Sequence, residues 1–265
     1  MFNLIRADMY RILRGKGLYI TFAVLLVVNI FVFGMFNAAE TGVIDFGGEE
    51  VVEIMGVFGL TGSAIPASLS GSMDNIVWFM LAVIMLVAAS IFDNNTVKND
   101  VAWGMCRIKL YMSKLILSAI ICVALMLFYI GTGMLIATVV NGFGGPVYSG
   151  YWMNMLQVFL AQLLLMLGVT SVGIFLVFTT KRSGLSLGLY IAFLLVPMVV
   201  IQLLVMANSS WEWLAYYDLP SSLNMLVDIR YMETNSIIRA LGLGAFYLFG
   251  GTILGVVLFR RAEIK

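Results

Sequence analysis

The polar stretch NNTVKNDVAWGMCRIKLYMSK, residues 94–114, separates two strongly apolar runs at 76–92 and 115–140. A helix needs ~20 mainly apolar residues to cross a ~30 Å hydrocarbon layer, and each of the two runs approaches or exceeds that length. This part of the chain therefore predicts two membrane-spanning helices joined by a basic, polar connection.

The rest of the chain repeats this pattern. Hydrophobic residues make up 62% of the 265 residues and charged residues only 11%, against roughly 25% charged residues in soluble domains. The predicted fold class is an all-α, multi-pass cell-membrane protein, with a single transmembrane domain over residues 1–265. We predict six transmembrane helices, at 18–36, 76–92, 115–140, 155–180, 185–207 and 237–258.

The distribution of charge predicts the orientation of these helices, because cytoplasmic flanks of membrane helices carry an excess of Lys and Arg. With the N-terminus inside, the inner segments hold all 15 basic residues except Arg230 and Arg239. The outer segments hold all 14 acidic residues except Asp8, Asp93, Asp100 and Glu263. We therefore predict an N-in, C-in topology, in which residues 37–75 form a long loop outside the membrane. A short re-entrant or interfacial piece within this loop is an open alternative.

Residues 1–17 read as an amphipathic helix in the inner interface, followed by glycines that end it. Its apolar residues recur at helical spacing, namely Phe2, Ile5, Met9 and Ile12. A basic tail that only sets the topology is an equally open interpretation of the pattern.

The interiors of the predicted spans contain no Lys, Arg, Asp or Glu, and the chain has no histidine. Acid–base and metal-assisted catalysis both need such groups, so we expect that the protein is not an enzyme and binds no metal or cofactor. Polar side chains within the spans are expected to form interhelical hydrogen bonds: Asn29, Gln157, Gln162 and Gln202. Cys106 and Cys122 are expected to be free thiols.

The segment 94–114 contains one apolar stripe at steps of three and four residues, which predicts a helix. The stripe consists of Val97, Val101, Met105, Ile108 and Met112, with Gly104 interrupting its middle. Such a segment is suited either to docking a partner protein or to lying among lipid head groups, and the pattern alone does not choose between them.

The same segment resembles the connection between the second and third spans of ABC-2-type permease subunits of bacterial ABC exporters. The resemblance rests on three groups of residues: Thr96, Val97, Lys98 and Asn99; Gly104 and Arg107; Tyr111, Ser113 and Lys114. The basic N-terminal helix, the six-span layout and the basic C-terminal tail also agree, so the resemblance covers essentially the whole chain. Met105 and Cys106 depart from the small or polar residues that are usual at those positions.

This resemblance implies that 94–114 is a cytoplasmic coupling helix that docks on an ATPase subunit. Val97, Met105 and Ile108 would form the docking face, with Arg107 as the charged contact, within the coupling set Val97, Lys98, Val101, Gly104, Met105, Arg107 and Ile108. This chain lacks a phosphate-binding loop of the Gly-x4-Gly-Lys type, so ATP would be bound by the partner subunit.

The resemblance further implies a second permease subunit, identical or related, contacts with membrane lipids, no nucleic acid and a location in the bacterial plasma membrane. The cargo would be hydrophobic or amphipathic, such as an antimicrobial peptide or a drug. An alternative from another class is a sensor or scaffold that transports nothing and docks a signalling protein on the same segment.

Overall fold

The structure is a computed structural model that describes residues 2–40, 61–93, 97, 105–145, 148–224, 226 and 234–261. Within these ranges every regular element is a helix. Helix α1 spans Phe2–Arg14 and α2 spans Lys16–Glu40. Between them the N–H of Gly15 donates to the carbonyls of Arg11 and Ile12, at 3.1 Å each. Helix α1 lies within the segment predicted as an N-terminal helix and ends before the first of the two glycines; its position in the membrane interface stays a prediction.

The remaining helices follow in chain order. Short α3 spans Ile65–Ser70, and α4, Asp74–Ile84, continues through a π-helical turn at Met85–Ala89 into α5, Ser90–Asp93. The long helices α6, α7 and α8 span Arg107–Asn141, Tyr151–Thr180 and Ser183–Ala207. A 3₁₀ helix at Ser209–Tyr217, α9 at Leu219–Asn224 and α10 at Thr234–Arg261 complete the described chain.

Six of these helical units are long and apolar enough to cross a membrane: α2, α4 together with the turn and α5, α6, α7, α8 and α10. The helical fold class is therefore confirmed for the described residues, and each of the six predicted spans corresponds to one of these helical units. The largest difference in bounds is at α6, which begins at Arg107 rather than at residue 115. The charges of Lys109 and Lys114 lower the local hydropathy there without interrupting the helix.

Helix α7 lies at the centre of the bundle, whereas α8 lies at its edge. In its most apolar stretch 67% of α7 is buried, against 11% of the corresponding stretch of α8. The backbones of α7 and α10 approach closely, since a Cβ added to Gly244 would lie 2.8 Å from the carbonyl carbon of Leu164. Small residues allow such contact between membrane helices, so this glycine sets the α7–α10 distance.

The two ends of the bundle differ in what they contain. At one end α1, the start of α6 and the last turn of α10 lie together, joined by contacts of Asp8 with Lys114 and of Arg107 with Arg260. We call this the basal end, and the opposite one, which carries α3 and the start of α4, the distal end. The beginning and end of the described bundle thus lie at the same end, as an even number of crossings requires. The side of the membrane that the basal end faces stays a prediction.

Of the predicted outer loop 37–75, the structure describes residues 37–40 at the end of α2 and residues 61–75, and α3 within the latter is buried between α6 and α7. The residues before α3 obtain hydrogen bonds from the turn after α6. The N–H of Gly62 donates to the carbonyl of Gly142 at 3.0 Å, and that of Ser63 to Phe143 at 2.8 Å. Irregular backbone can lie within a membrane protein when it is surrounded by protein that satisfies it, as here.

The structure places the four polar residues of the predicted spans in two environments. The amide of Asn29 in α2 donates to the carbonyl of Tyr129 in α6 at 2.9 Å. Gln162 in α7 donates to the carbonyl of Ser70 in α3 at 2.7 Å. The expected hydrogen bonds between helices are thus confirmed for these two, whereas Gln157 and Gln202 are exposed on the outside of the bundle.

Candidate coupling surface

The start of α6 separates the predicted coupling segment into two parts. Cys106 has an extended backbone, with φ −65° and ψ 125°, and Met105 is also outside any helix. Helix α6 begins immediately afterwards, as the N–H of Leu110 donates to the carbonyl of Cys106 at 3.1 Å. The prediction of one continuous helical stripe from Val97 to Met112 is therefore wrong, because Met105 and Cys106 are not helical.

The structure also separates the residues proposed for the docking face. Val97 is 3% exposed and belongs to the hydrophobic core, so its side chain is not on the surface. Met105 and Ile108 are 37% and 39% exposed. The predicted coupling residues Lys98, Val101 and Gly104 lie outside the described residues. Of the proposed apolar face, the structure thus leaves Met105 and Ile108 accessible.

Arg107 holds the start of α6 against the end of α10. Its Nη1 donates to the carbonyl of Arg260 at 3.1 Å. Carbonyls in the last turn of a helix lack intrahelical partners and carry partial negative charge, which favours a cationic donor there. The residue that the sequence suggested as a contact for a partner therefore also fastens two helices of its own chain together.

Tyr111, one turn further along α6, is buried in a notch on α10. The notch is formed by Gly255, because any Cβ at this position would overlap the tyrosine ring. The Tyr111 hydroxyl donates to the carbonyl of Gly251 at 3.3 Å. Gly255 of α10 thus makes room for Tyr111 of α6, whereas Gly251 lies against Ser171 and Val172 of α7.

An aromatic cluster surrounds this notch and joins the basal ends of four helices. Phe178 of α7 lies at its centre, with edge-on contacts to Tyr111, Phe259 of α10 and Phe92 of α5. The ring centroids are 4.9, 4.7 and 5.3 Å apart, respectively. Aromatic pairs in this geometry add to the stability from burial. We refer to these four residues as the basal aromatic cluster.

Lys114 joins α6 to the N-terminal helix. Its Nζ lies 2.6 Å from Oδ2 of Asp8, and both residues are buried. Arg11 of α1 approaches the other carboxylate oxygen of Asp8 at 3.5 Å. Sequence reasoning missed this pair, although one signal was present. Asp8 follows Ile5 by three residues and precedes Ile12 by four, which places an acid on the apolar face of α1.

An exposed patch remains beside these buried contacts, and we call it the basal patch. It combines apolar and basic side chains at the start of α6 and the end of α10: Met105, Cys106, Ile108, Lys109 and Arg260. The backbone N–H groups of Lys109 and Ile108 lower the pKa of the Cys106 thiol below its ordinary value, and the charges of Lys109 and Arg260 act in the same direction. The patch is thus electropositive with an apolar centre.

The described residues include no group of three or more His, Cys, Asp or Glu side chains that could hold a metal ion. Comparison of the sequence with protein-family models and with curated proteins gives no match. The six long apolar helices define the class of the protein as a multi-pass α-helical membrane protein. Its basal patch is joined to other helices of the bundle through Arg107, Tyr111 and Lys114.

Proposed function

We propose that this chain is the permease subunit of an ATP-driven exporter and that a separate ATPase subunit docks on the basal patch. The observation that carries the proposal is that the exposed patch is fixed to three helices of the bundle at once. Arg107 and Tyr111 join the beginning of α6 to α10. Lys114, also near the beginning of α6, joins this helix to α1. A force applied to the patch would therefore move α1, α6 and α10 together.

The composition of the patch supports a protein partner with an acidic rim. Met105 and Ile108 supply accessible apolar area, and Lys109 and Arg260 surround it with positive charge. Charge complementarity of this kind governs the rate and specificity of docking more than the total affinity. In the proposed cycle, ATP-driven closure of the partner displaces the patch, and the bundle opens for a hydrophobic or amphipathic cargo such as a peptide or a drug. A second copy of this chain, or a related one, completes the permease in the plasma membrane.

The experiment is affinity purification of the full-length chain from its native membranes in mild detergent, followed by assays of ATP binding and hydrolysis in the co-purified fraction. We expect an ATPase in stoichiometric amount with the wild-type chain. Lys109→Glu reverses a charge on the patch and should reduce retention of the partner by about tenfold. Arg182→Glu is the matched control, because Arg182 is exposed on the connection between α7 and α8, outside the patch.

Equal loss of the partner with both variants would show that net charge, not the patch, governs retention. Co-purification of a partner that neither binds nor hydrolyses ATP would overturn the exporter proposal and favour the sensor or scaffold alternative.

A further inference from the structure

Helix α1 lies along the predicted boundary of the membrane at the basal end, and two points of the chain place it there. Asp8, in the middle of the helix, contacts Lys114, which immediately precedes the apolar run 115–140 of α6. Arg14, the last residue of the helix, shortly precedes Leu18, where the apolar run of α2 begins. Since both points lie where a span begins, the axis of α1 runs along the membrane surface rather than across it.

One face of α1 is covered by the protein itself. Asp8 and Ile12, one turn apart, are both buried, and Met9 packs against the hydrophobic core. Helix α1 contacts α2 and α6. The apolar residues from which the sequence predicted an interfacial helix are thus partly used within the bundle, and contact with a further partner falls to the other face.

The opposite face of α1 is basic and exposed. Arg6, Tyr10 and Arg14 follow one another at steps of four residues, so their side chains lie on one face of the helix. Tyr10 is two residues from both Asp8 and Ile12, which places it on the opposite side of a helix with about 3.6 residues per turn. Both arginines are exposed, and Tyr10 is 57% exposed. This face is therefore open to a partner.

The charge of the open face is positive. Arg11 of α1 and Lys16, at the start of α2, are also exposed. Asp8, the acid of α1, lies on the covered face, where it contacts Lys114 and Arg11. A negatively charged partner therefore matches this surface.

The side chains of the open face suit phosphate groups at a membrane surface. The guanidinium carbon of Arg14 lies 4.7 Å from the centre of the Tyr10 ring. Such stacking orients the guanidinium and leaves the N–H groups at its edge able to donate to phosphate oxygens. Tyr10, together with Leu13 at 47% exposure, adds apolar surface beside the charges, a combination that is typical of helices at the membrane interface. An acidic protein would match the charges as well, but the position of α1 along the membrane boundary favours lipid.

We propose that the exposed face of α1 binds anionic phospholipids. Their phosphate groups lie against Arg6, Arg14 and Lys16, and the first carbons of their acyl chains contact Tyr10 and Leu13. This binding requires neither ATP nor a partner subunit, and it holds whichever side of the membrane the basal end faces. It goes beyond the proposed docking of an ATPase, and either proposal can fail without the other.

The test measures the lipid composition beside α1 in the full-length chain, reconstituted without any partner in phosphatidylcholine vesicles. A bimane fluorophore is attached at Ala7→Cys in a Cys106→Ser background, because Ala7 is exposed and follows Arg6, whereas Cys122 is buried. Phosphatidylglycerol or phosphatidylcholine with a nitroxide near the start of one acyl chain quenches the fluorophore on contact.

We expect half-maximal quenching at an about fivefold lower mole fraction of the labelled phosphatidylglycerol than of the labelled phosphatidylcholine, because basic side chains attract anionic lipid. The difference should shrink at high salt, which screens exposed charges. Equal quenching by the two lipids would overturn the proposal and favour an acidic protein as the partner of this face.

Two matched double variants locate the site, each first checked for unchanged thermal unfolding. Arg6→Gln with Arg14→Gln should bring the two quenching midpoints to within about twofold of each other. Arg182→Gln with Arg261→Gln removes the same charge from exposed residues of the basal end outside α1 and should leave the difference unchanged. An unchanged difference in the first double variant, or an equal loss in the second, would overturn the proposal, because the preference would then not arise from α1.

Discussion

Lys114 is the last residue of the polar stretch 94–114, and its side chain is almost fully buried. A lysine at that depth requires a compensating charge, because an isolated ammonium group is costly to remove from water. Asp8 supplies that charge from a helix far away in sequence. Because a charged residue lowers the local hydropathy, the predicted span begins at residue 115, immediately after Lys114. The true start of α6 at Arg107 could therefore not be predicted from the sequence. The two residues of the pair are 106 positions apart in the sequence, so no local sequence pattern indicates their contact.

The Asp8–Lys114 pair gives the first prediction at this scale. Breaking a buried ion pair by removing one partner costs on the order of 3 kcal/mol, because the other charge stays buried. We expect Asp8→Asn to lower the thermal unfolding temperature more than Lys114→Met. In Lys114→Met the Asp8 carboxylate keeps Arg11 at 3.5 Å, whereas in Asp8→Asn the buried Lys114 loses its anionic neighbour.

A double-mutant cycle in detergent measures the coupling between the two residues. The double variant Asp8→Asn with Lys114→Met should be destabilised by less than the sum of the two single variants. Additive effects would mean that the short contact contributes nothing to stability. The control is Arg6→Gln, which removes an exposed charge from the same helix and should leave the unfolding temperature unchanged.

At the scale of elements, two pairs of glycines with the same spacing, one in α10 and one in α8, have different surroundings. Gly251 and Gly255 are four residues apart, and so are Gly184 and Gly188 of α8, a spacing that favours close packing between membrane helices. The structure shows close packing at both glycines of α10, since Gly255 lies against Tyr111 of α6 and Gly251 lies against Ser171 and Val172 of α7. Both glycines of α8 face open space. The difference depends on which neighbour lies opposite, which the sequence of one helix does not specify.

Gly255 and Gly250 provide a matched pair within α10 for the second prediction. A Cβ at Gly255 would overlap Tyr111, whereas one at Gly250 would meet nothing within 4 Å. Overpacking costs about 1–3 kcal/mol, and replacing an open helical glycine by alanine gains up to about 1 kcal/mol. We therefore expect Gly255→Ala to lower the unfolding temperature and Gly250→Ala to leave it unchanged or raise it. Equal effects would show that the notch is not formed in the folded protein.

The short helix α3 shows the same limit on sequence-based prediction. The stretch around it, with Gly62, Gly71, several Ser residues and Pro66, reads as a loop. In the structure the turn after α6 accepts hydrogen bonds from Gly62 and Ser63, just before α3, and Gly133 of α6 leaves space for Leu69. In contrast, the six spans and the N-terminal helix were predictable, since their signals lie entirely within each segment. Elements were thus predictable where the signal is local and not where it comes from a distant partner.

At the scale of the whole molecule, the distribution of charge and the fold both bear on which side of the membrane the basal end faces. The structure brings α1 and the last turn of α10 to one end, together with the start of α6. The excess of Lys and Arg at that end predicts that it faces the cytoplasm. The proposed docking of an ATPase depends on this orientation, because ATP is available only on the cytoplasmic side. The orientation can be measured without knowing the partner.

Cys106 is a native probe for this measurement, since it is exposed at the basal end whereas Cys122 is buried. We expect a membrane-impermeant maleimide to leave Cys106 unlabelled in intact cells and to label it in inside-out vesicles. A distal probe, Ser149→Cys in a Cys106→Ser background, should give the opposite result, as Ser149 is exposed beyond the far end of α6. Labelling of Cys106 in intact cells would invert the topology and remove the basal patch from the reach of a cytoplasmic ATPase.

The pH dependence of the same reaction tests the local structure of the patch. The thiolate is the reactive form, and the backbone N–H groups of Lys109 and Ile108 favour it by lowering the pKa of Cys106. The labelling rate in inside-out vesicles should therefore rise with pH and reach its midpoint below the pH found for the same cysteine in the detergent-denatured chain. Since the shift requires an ordered first turn of α6, a midpoint equal to that of the denatured chain would mean that this turn is unfolded in the membrane. In that case a displacement of the patch could not be transmitted through Arg107 and Tyr111 to α10.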